Sequence, residues 1–68
     1  MLKEVKHITK QEKLFNYYYK LQSDEFRKGI KGYKNLNMKN TLCAIKVIFK
    51  NDDWIRVYQR LTGEVEWY

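Results

Sequence analysis

From residue 41 to residue 68 the chain consists of three runs rich in β-branched and aromatic residues, separated by two turn signals. Residues 41–50 are the first run and Asn51-Asp52-Asp53 the first break. Residues 54–61 are the second run, Thr62-Gly63 the second break, and residues 64–68 the third run. The reading is an antiparallel β-meander. Successive side chains of a strand point to opposite faces, so parity assigns the faces. Cys43, Ile45, Val47 and Phe49 point inward, followed by Ile55, Val57, Gln59 and Leu61, then Val65 and Trp67. Leu42, Ala44, Lys46, Ile48 and Lys50 point outward, with Trp54, Arg56, Tyr58 and Arg60, then Glu64, Glu66 and Tyr68. A three-residue turn over residues 51–53 pairs Phe49 with Ile55 and Val47 with Val57.

The apolar face needs a cover, and residues 10–22 supply one. Thr9-Lys10-Gln11-Glu12 is a capping box, in which the Thr9 hydroxyl accepts from the N–H of Glu12. Leu14, Phe15, Tyr18 and Leu21 follow on one helical face, with Lys10, Lys13 and Lys20 on the other. Residues 23–33 read as a short second helix or an irregular loop. Phe26, Ile30 and Tyr33 have helical spacing, whereas Gly29 and Gly32 oppose a helix. Residues 34–40 read as a basic loop, and residues 1–8 as a flexible arm or an edge strand. The expected fold class is α+β: an N-terminal helix packed on a three-stranded antiparallel meander, in two layers.

With 68 residues the chain is one domain. A domain of this size buries only about 60% of its unfolded surface, so large side chains must carry the core; two Trp, six Tyr and three Phe are present for it. The single cysteine, Cys43, rules out an intrachain disulfide and points to a reducing, cytoplasmic setting. No stretch has the length of a signal-peptide core or a membrane span. The Lys, Asn, Ile and Tyr content is that of an AT-rich coding sequence, as in low-GC bacteria and their phages.

Catalysis finds little support. His7 is the only histidine, and parity places Cys43 in the core as a structural thiol. One Cys and one His give no zinc-ligand spacing, and no cofactor is implied. Asp52 and Asp53 read as turn formers. Gly29-Ile30-Lys31-Gly32 matches the bare GxxG pattern of the KH nucleic-acid-binding loop. That loop joins two helices, and no second helix follows here, so the expectation is a plain turn.

Charge is more informative. The net charge is +6, yet residues 26–51 contain no acid before the Asp52-Asp53 pair and hold Arg27, Lys28, Lys31, Lys34, Lys39, Lys46 and Lys50. The excess charge sits in one segment, which predicts a positive patch. Beside it, Trp54, Arg56, Tyr58 and Arg60 alternate aromatic and cationic on the outward face. Aromatic rings stack on bases and guanidinium groups pair with phosphates. Tyr, Trp and Arg also dominate protein–protein hot spots. Two functions therefore stay open at this point. One is a non-enzymatic nucleic-acid-binding protein that uses Arg27, Lys28, Lys31, Lys34, Lys46, Lys50, Trp54, Arg56, Tyr58 and Arg60. The other is a small inhibitor or adaptor that meets an acidic protein surface through the same residues. The open sheet edge and the apolar Trp67-Tyr68 also predict a homodimer.

Overall fold

The computed structural model describes residues 8–68. Two helices, α1 (Lys10–Leu21) and α2 (Asp24–Arg27), precede four strands: β1 (Ile30–Asn35), β2 (Thr41–Phe49), β3 (Trp54–Arg60) and β4 (Val65–Trp67). The strands form one antiparallel sheet in the order β1-β2-β3-β4. The fold is α+β as expected, with one strand more than the sequence reading gave. The expectation for residues 1–8 falls almost wholly outside the described residues.

Local chemistry sets both helix starts. Thr9 Oγ1 accepts from the Glu12 N–H at 3.0 Å, and Ser23 Oγ accepts from the Phe26 N–H at 3.2 Å. Gln22 is extended (φ −92°, ψ 153°), which ends α1 and turns the chain. Arg27 fastens the turn. Its Nε donates to the Tyr19 carbonyl at 2.9 Å and its Nη2 to the Lys20 carbonyl at 3.1 Å. A cation at the last carbonyls of a helix also opposes the helix dipole.

The core lies between α1 and the sheet. Leu14 and Tyr18 of α1 meet Cys43, Ile45, Val47 and Val57, all buried. Phe15 is half-buried and stacks on Tyr33 with ring centroids 4.7 Å apart. Trp67 meets the edge of Tyr18 at 5.1 Å but stays 41% exposed, so it is a rim residue and not the buried one that parity suggested. Leu21 is exposed because α1 ends there and the chain turns away toward α2. Leu61, read as inward, is exposed in the β3–β4 turn.

Residues 30–35 correct the sequence reading: they are neither helix nor loop but an edge strand. The register advances two residues on β1, from Ile30 to Gly32, for one on β2, from Phe49 to Ile48. Lys31 is the extra residue of a bulge. The bulge puts Ile30 opposite Phe49 and Tyr33 opposite Val47, both on the inward face. Two inward residues three apart imitate helical spacing, which hid the strand. Lys34 and Asn35 belong to β1, so the loop is confined to residues 36–40. Gly29 follows α2 and Gly32 lies in β1, so the GxxG segment is a turn running into a strand.

The β2–β3 pairing also differs from expectation. Val47 faces Ile55 and Ile45 faces Val57, a two-residue shift. The loop is residues 50–52, closed by the Phe49 N–H donating to the Asp53 carbonyl at 2.8 Å. Asp52 takes φ +73° and its N–H donates to the Phe49 carbonyl at 2.9 Å. This is a three-residue hairpin loop whose last residue is left-handed. A shift of two preserves the faces, so the inward and outward assignments stand from Cys43 to Phe49 and from Trp54 to Arg60, while a second register shift between Thr41 and Cys43 interrupts the alternation at Leu42. The β3–β4 loop repeats the pattern with Gly63 at φ +101°.

Candidate functional site

Both helices pack on the inward side of the sheet, α1 through the core and α2 through Phe26, whose ring meets the edge of inward-facing Phe49 at 5.6 Å. The outward side has no helix over it among the described residues. Cross-strand register arranges this face in lateral rows. The row nearest the β2–β3 turn is Gly32, Ile48 and Trp54. The next is Lys34, Lys46 and Arg56, extended by Tyr68, whose backbone exchanges two hydrogen bonds with that of Arg56 at 2.8 and 3.0 Å. The third is Leu36, Ala44, Tyr58 and Glu66.

Two cations of the second row, Lys46 and Arg56, lie over aromatic rings. Lys46 Nζ lies 4.4 Å from the Trp54 ring centroid, and Arg56 Cζ lies 4.8 Å from it. Arg56 Cζ is also 5.0 Å from the Tyr68 centroid. Such contacts contribute about 0.5–1 kcal/mol each at exposed sites. They also fix the guanidinium while leaving its N–H groups without a side-chain acceptor among the described residues. Trp54 is 40% and Tyr68 62% exposed.

Tyr58 plays a different part from the stacking surface its position suggested. Its hydroxyl donates to Glu66 Oε1 at 2.8 Å, and its ring meets Tyr68 edge-on at 6.0 Å. Arg60 Nη1 donates to Glu66 Oε2 at 3.3 Å. These two donors, Tyr58 first and Arg60 second, hold the Glu66 carboxyl below the usual carboxylate range. The same hydrogen bond, chiefly, pushes the Tyr58 phenol up. Tyr68 is the ring that remains open, and parity alone did not rank it above Tyr58.

The expected residues thus divide. Lys34, Lys46, Trp54 and Arg56 converge on the helix-free face. Arg27 at the end of α2 and Lys28, its C-cap, lie in the helix layer, paired with Asp24 at 3.0 Å and Glu25 at 3.6 Å. Lys31 sits at the bulge, 4.0 Å from Asp52. Lys50 is in the β2–β3 loop, its N–H bonded to the Gly29 carbonyl at 2.9 Å. Arg60 is paired with Glu66. A charge run in the sequence therefore became several separate local pairs and one compact row.

Cys43 is buried, and burial pushes its thiol up, which leaves little thiolate to act as a nucleophile. Its formal partner His7 lies outside the described residues. No three His, Cys, Asp or Glu among the described residues are placed to hold a metal ion. No helix among them is long and apolar enough to cross a membrane. Comparison with known proteins finds no match, whether to a family model, a curated protein or a solved structure.

Proposed function

We propose that this chain binds nucleic acid through the helix-free face of its sheet. One observation carries the reading: Lys34, Lys46 and Arg56 stand side by side on three adjacent strands, with no acidic side chain in their row. Like charges directly opposite one another destabilise a sheet. A fold that keeps three in register has a use for concentrated positive charge, and a polyanion is the ligand that such a row suits. The rings support the same reading. Trp54 and Tyr68 hold the Arg56 guanidinium in place beforehand, which lowers the entropy lost when it engages a phosphate. No catalytic step is needed; affinity comes from charge and stacking.

The test is fluorescence anisotropy with mixed-sequence DNA and RNA, single- and double-stranded, at low salt. Lys34→Gln and Arg56→Gln are expected to weaken binding, whereas Lys28→Gln, on the other layer and paired with Glu25, leaves it nearly unchanged. Lys34→Gln also removes a like-charge neighbour of Lys46, so its melting temperature stays level or rises slightly. Absence of binding to every one of these nucleic acids overturns the proposal. The same face then serves the other role its composition allows, as the docking surface of an inhibitor or adaptor on an acidic protein.

A further inference from the structure

The rows of the outward face differ in charge along the strand direction, and this restricts the shape of polyanion that fits. The cationic row runs across the strands, from Lys34 through Lys46 and Arg56 to Tyr68. With strands about 4.8 Å apart it is a track roughly 14 Å long. It is one residue deep. The adjoining row on one side ends in Glu66, paired with Arg60, and beyond it Arg60 itself stands opposite Glu64. On the other side lies the Gly32-Ile48-Trp54 row, and beyond it the β2–β3 hairpin with Asp52 and Asp53, both exposed. Successive rows on one face are about 6.6 Å apart.

A duplex presents two phosphate ridges, separated by a groove about 6 Å or 12 Å wide. With one ridge on the cationic row, the other falls over a flanking row or beyond it, where cations are already paired with carboxylates (Arg60 with Glu66, Lys31 with Asp52) and no second cationic row among the described residues receives it. A duplex also hides the faces of its bases, so Trp54 and Tyr68 have nothing to stack on. A single strand has neither problem. Its one backbone follows the row, and its unstacked bases reach the two exposed rings that flank Arg56. The Gly32 position adds clearance beside Ile48: an added Cβ there would meet no atom within 4 Å.

On the reading that this face binds nucleic acid, we infer that its ligand is single-stranded, with the Lys34-Lys46-Arg56 row as the phosphate track and Trp54 and Tyr68 as the base platforms. The experiment compares one oligonucleotide of about 12 nucleotides, a length suited to one small domain, as a single strand and as a blunt duplex. The whole chain is used, with circular dichroism as the control for folding. The single strand is expected to bind at least about tenfold tighter, the equivalent of one stacked base. Trp54→Ala and Tyr68→Ala are each expected to remove most of that preference while leaving weak duplex binding as it was. In a Trp67→Phe background, which keeps a ring against Tyr18, fluorescence reports on Trp54 alone and is expected to be quenched by the single strand. Equal affinity for both forms overturns this inference and leaves the nucleic-acid reading standing. Single-strand preference that survives both alanine variants overturns the platform role of the rings. No binding of either form overturns both readings.

Discussion

Two glycines of this sheet respond oppositely to an added methyl group. Gly63 sits at φ +101° in the β3–β4 hairpin, where a side chain is strained whatever the space around it. Gly63→Ala is expected to cost about 1–2 kcal/mol, read as a drop in melting temperature. Gly32 lies outside the left-handed region and has open space at its Cβ, so Gly32→Ala is expected to stabilise by about 0.5 kcal/mol. Equal effects of the two changes would contradict the turn geometry. The Tyr58–Glu66 hydrogen bond gives a pH dependence. The folded-state Glu66 carboxyl lies below its unfolded value. Its contribution is therefore complete above the ordinary carboxylate range and is lost as pH falls through the depressed folded value. Tyr58 is raised, so its contribution is present below the ordinary phenol range and is lost as pH rises through the raised value. Melting curves of the parent chain and Tyr58→Phe should differ most near neutral pH and converge in acid. A constant gap from neutral pH into acid would show that the hydrogen bond does not favour the charged carboxylate.

At the scale of elements, α1 is anchored by Tyr18 more than by Phe15. Helical spacing places Phe15 and Tyr18 on the same covering face, where full burial of either ring would make truncation to alanine cost about 3–5 kcal/mol. The structure leaves Phe15 half-buried, stacked on Tyr33 at the edge strand, while Tyr18 is 1% exposed beneath the helix. Tyr18→Ala is expected to cost about 3–5 kcal/mol, enough to unfold most of a domain whose total stability is near the low end of about 5–15 kcal/mol. Phe15→Ala is expected to cost about half as much. Urea denaturation midpoints rank the two, and a reversed order would refute this packing. The edge strand β1 owes its place to pairing with β2. Its own composition, with two Lys, a Gly and an Asn, carries little strand propensity.

At the scale of the whole molecule, the functional prediction is a salt dependence. On the proposed nucleic-acid reading, three cations on one track would release counterions from about three phosphates, so log affinity should fall against log salt with a slope of about −2 to −3. Lys46→Gln should reduce the slope by about one contact, and Trp54→Ala should lower affinity with little change in slope. A slope near zero would mean that the row does not touch phosphates.

What the sequence determined by itself was local. Helix α1, its Thr9 cap, the β2–β3–β4 meander and the faces of β2 and β3 were all legible, because periodicity, capping and turn residues act over a few positions. Even a two-residue error in register left the faces intact, since the pleat repeats every two residues. The tertiary structure decided what depends on distant partners. It made residues 30–35 a strand, because a bulge at Lys31 let Ile30 and Tyr33 reach the core against β2. It also sorted the charges. Arg27, Lys28, Lys31 and Arg60 found carboxylates, while lateral register gathered Lys34, Lys46 and Arg56 from three strands into one row. Register between strands is set by loops and by packing on the far face, so no single segment of the chain contains the row it creates.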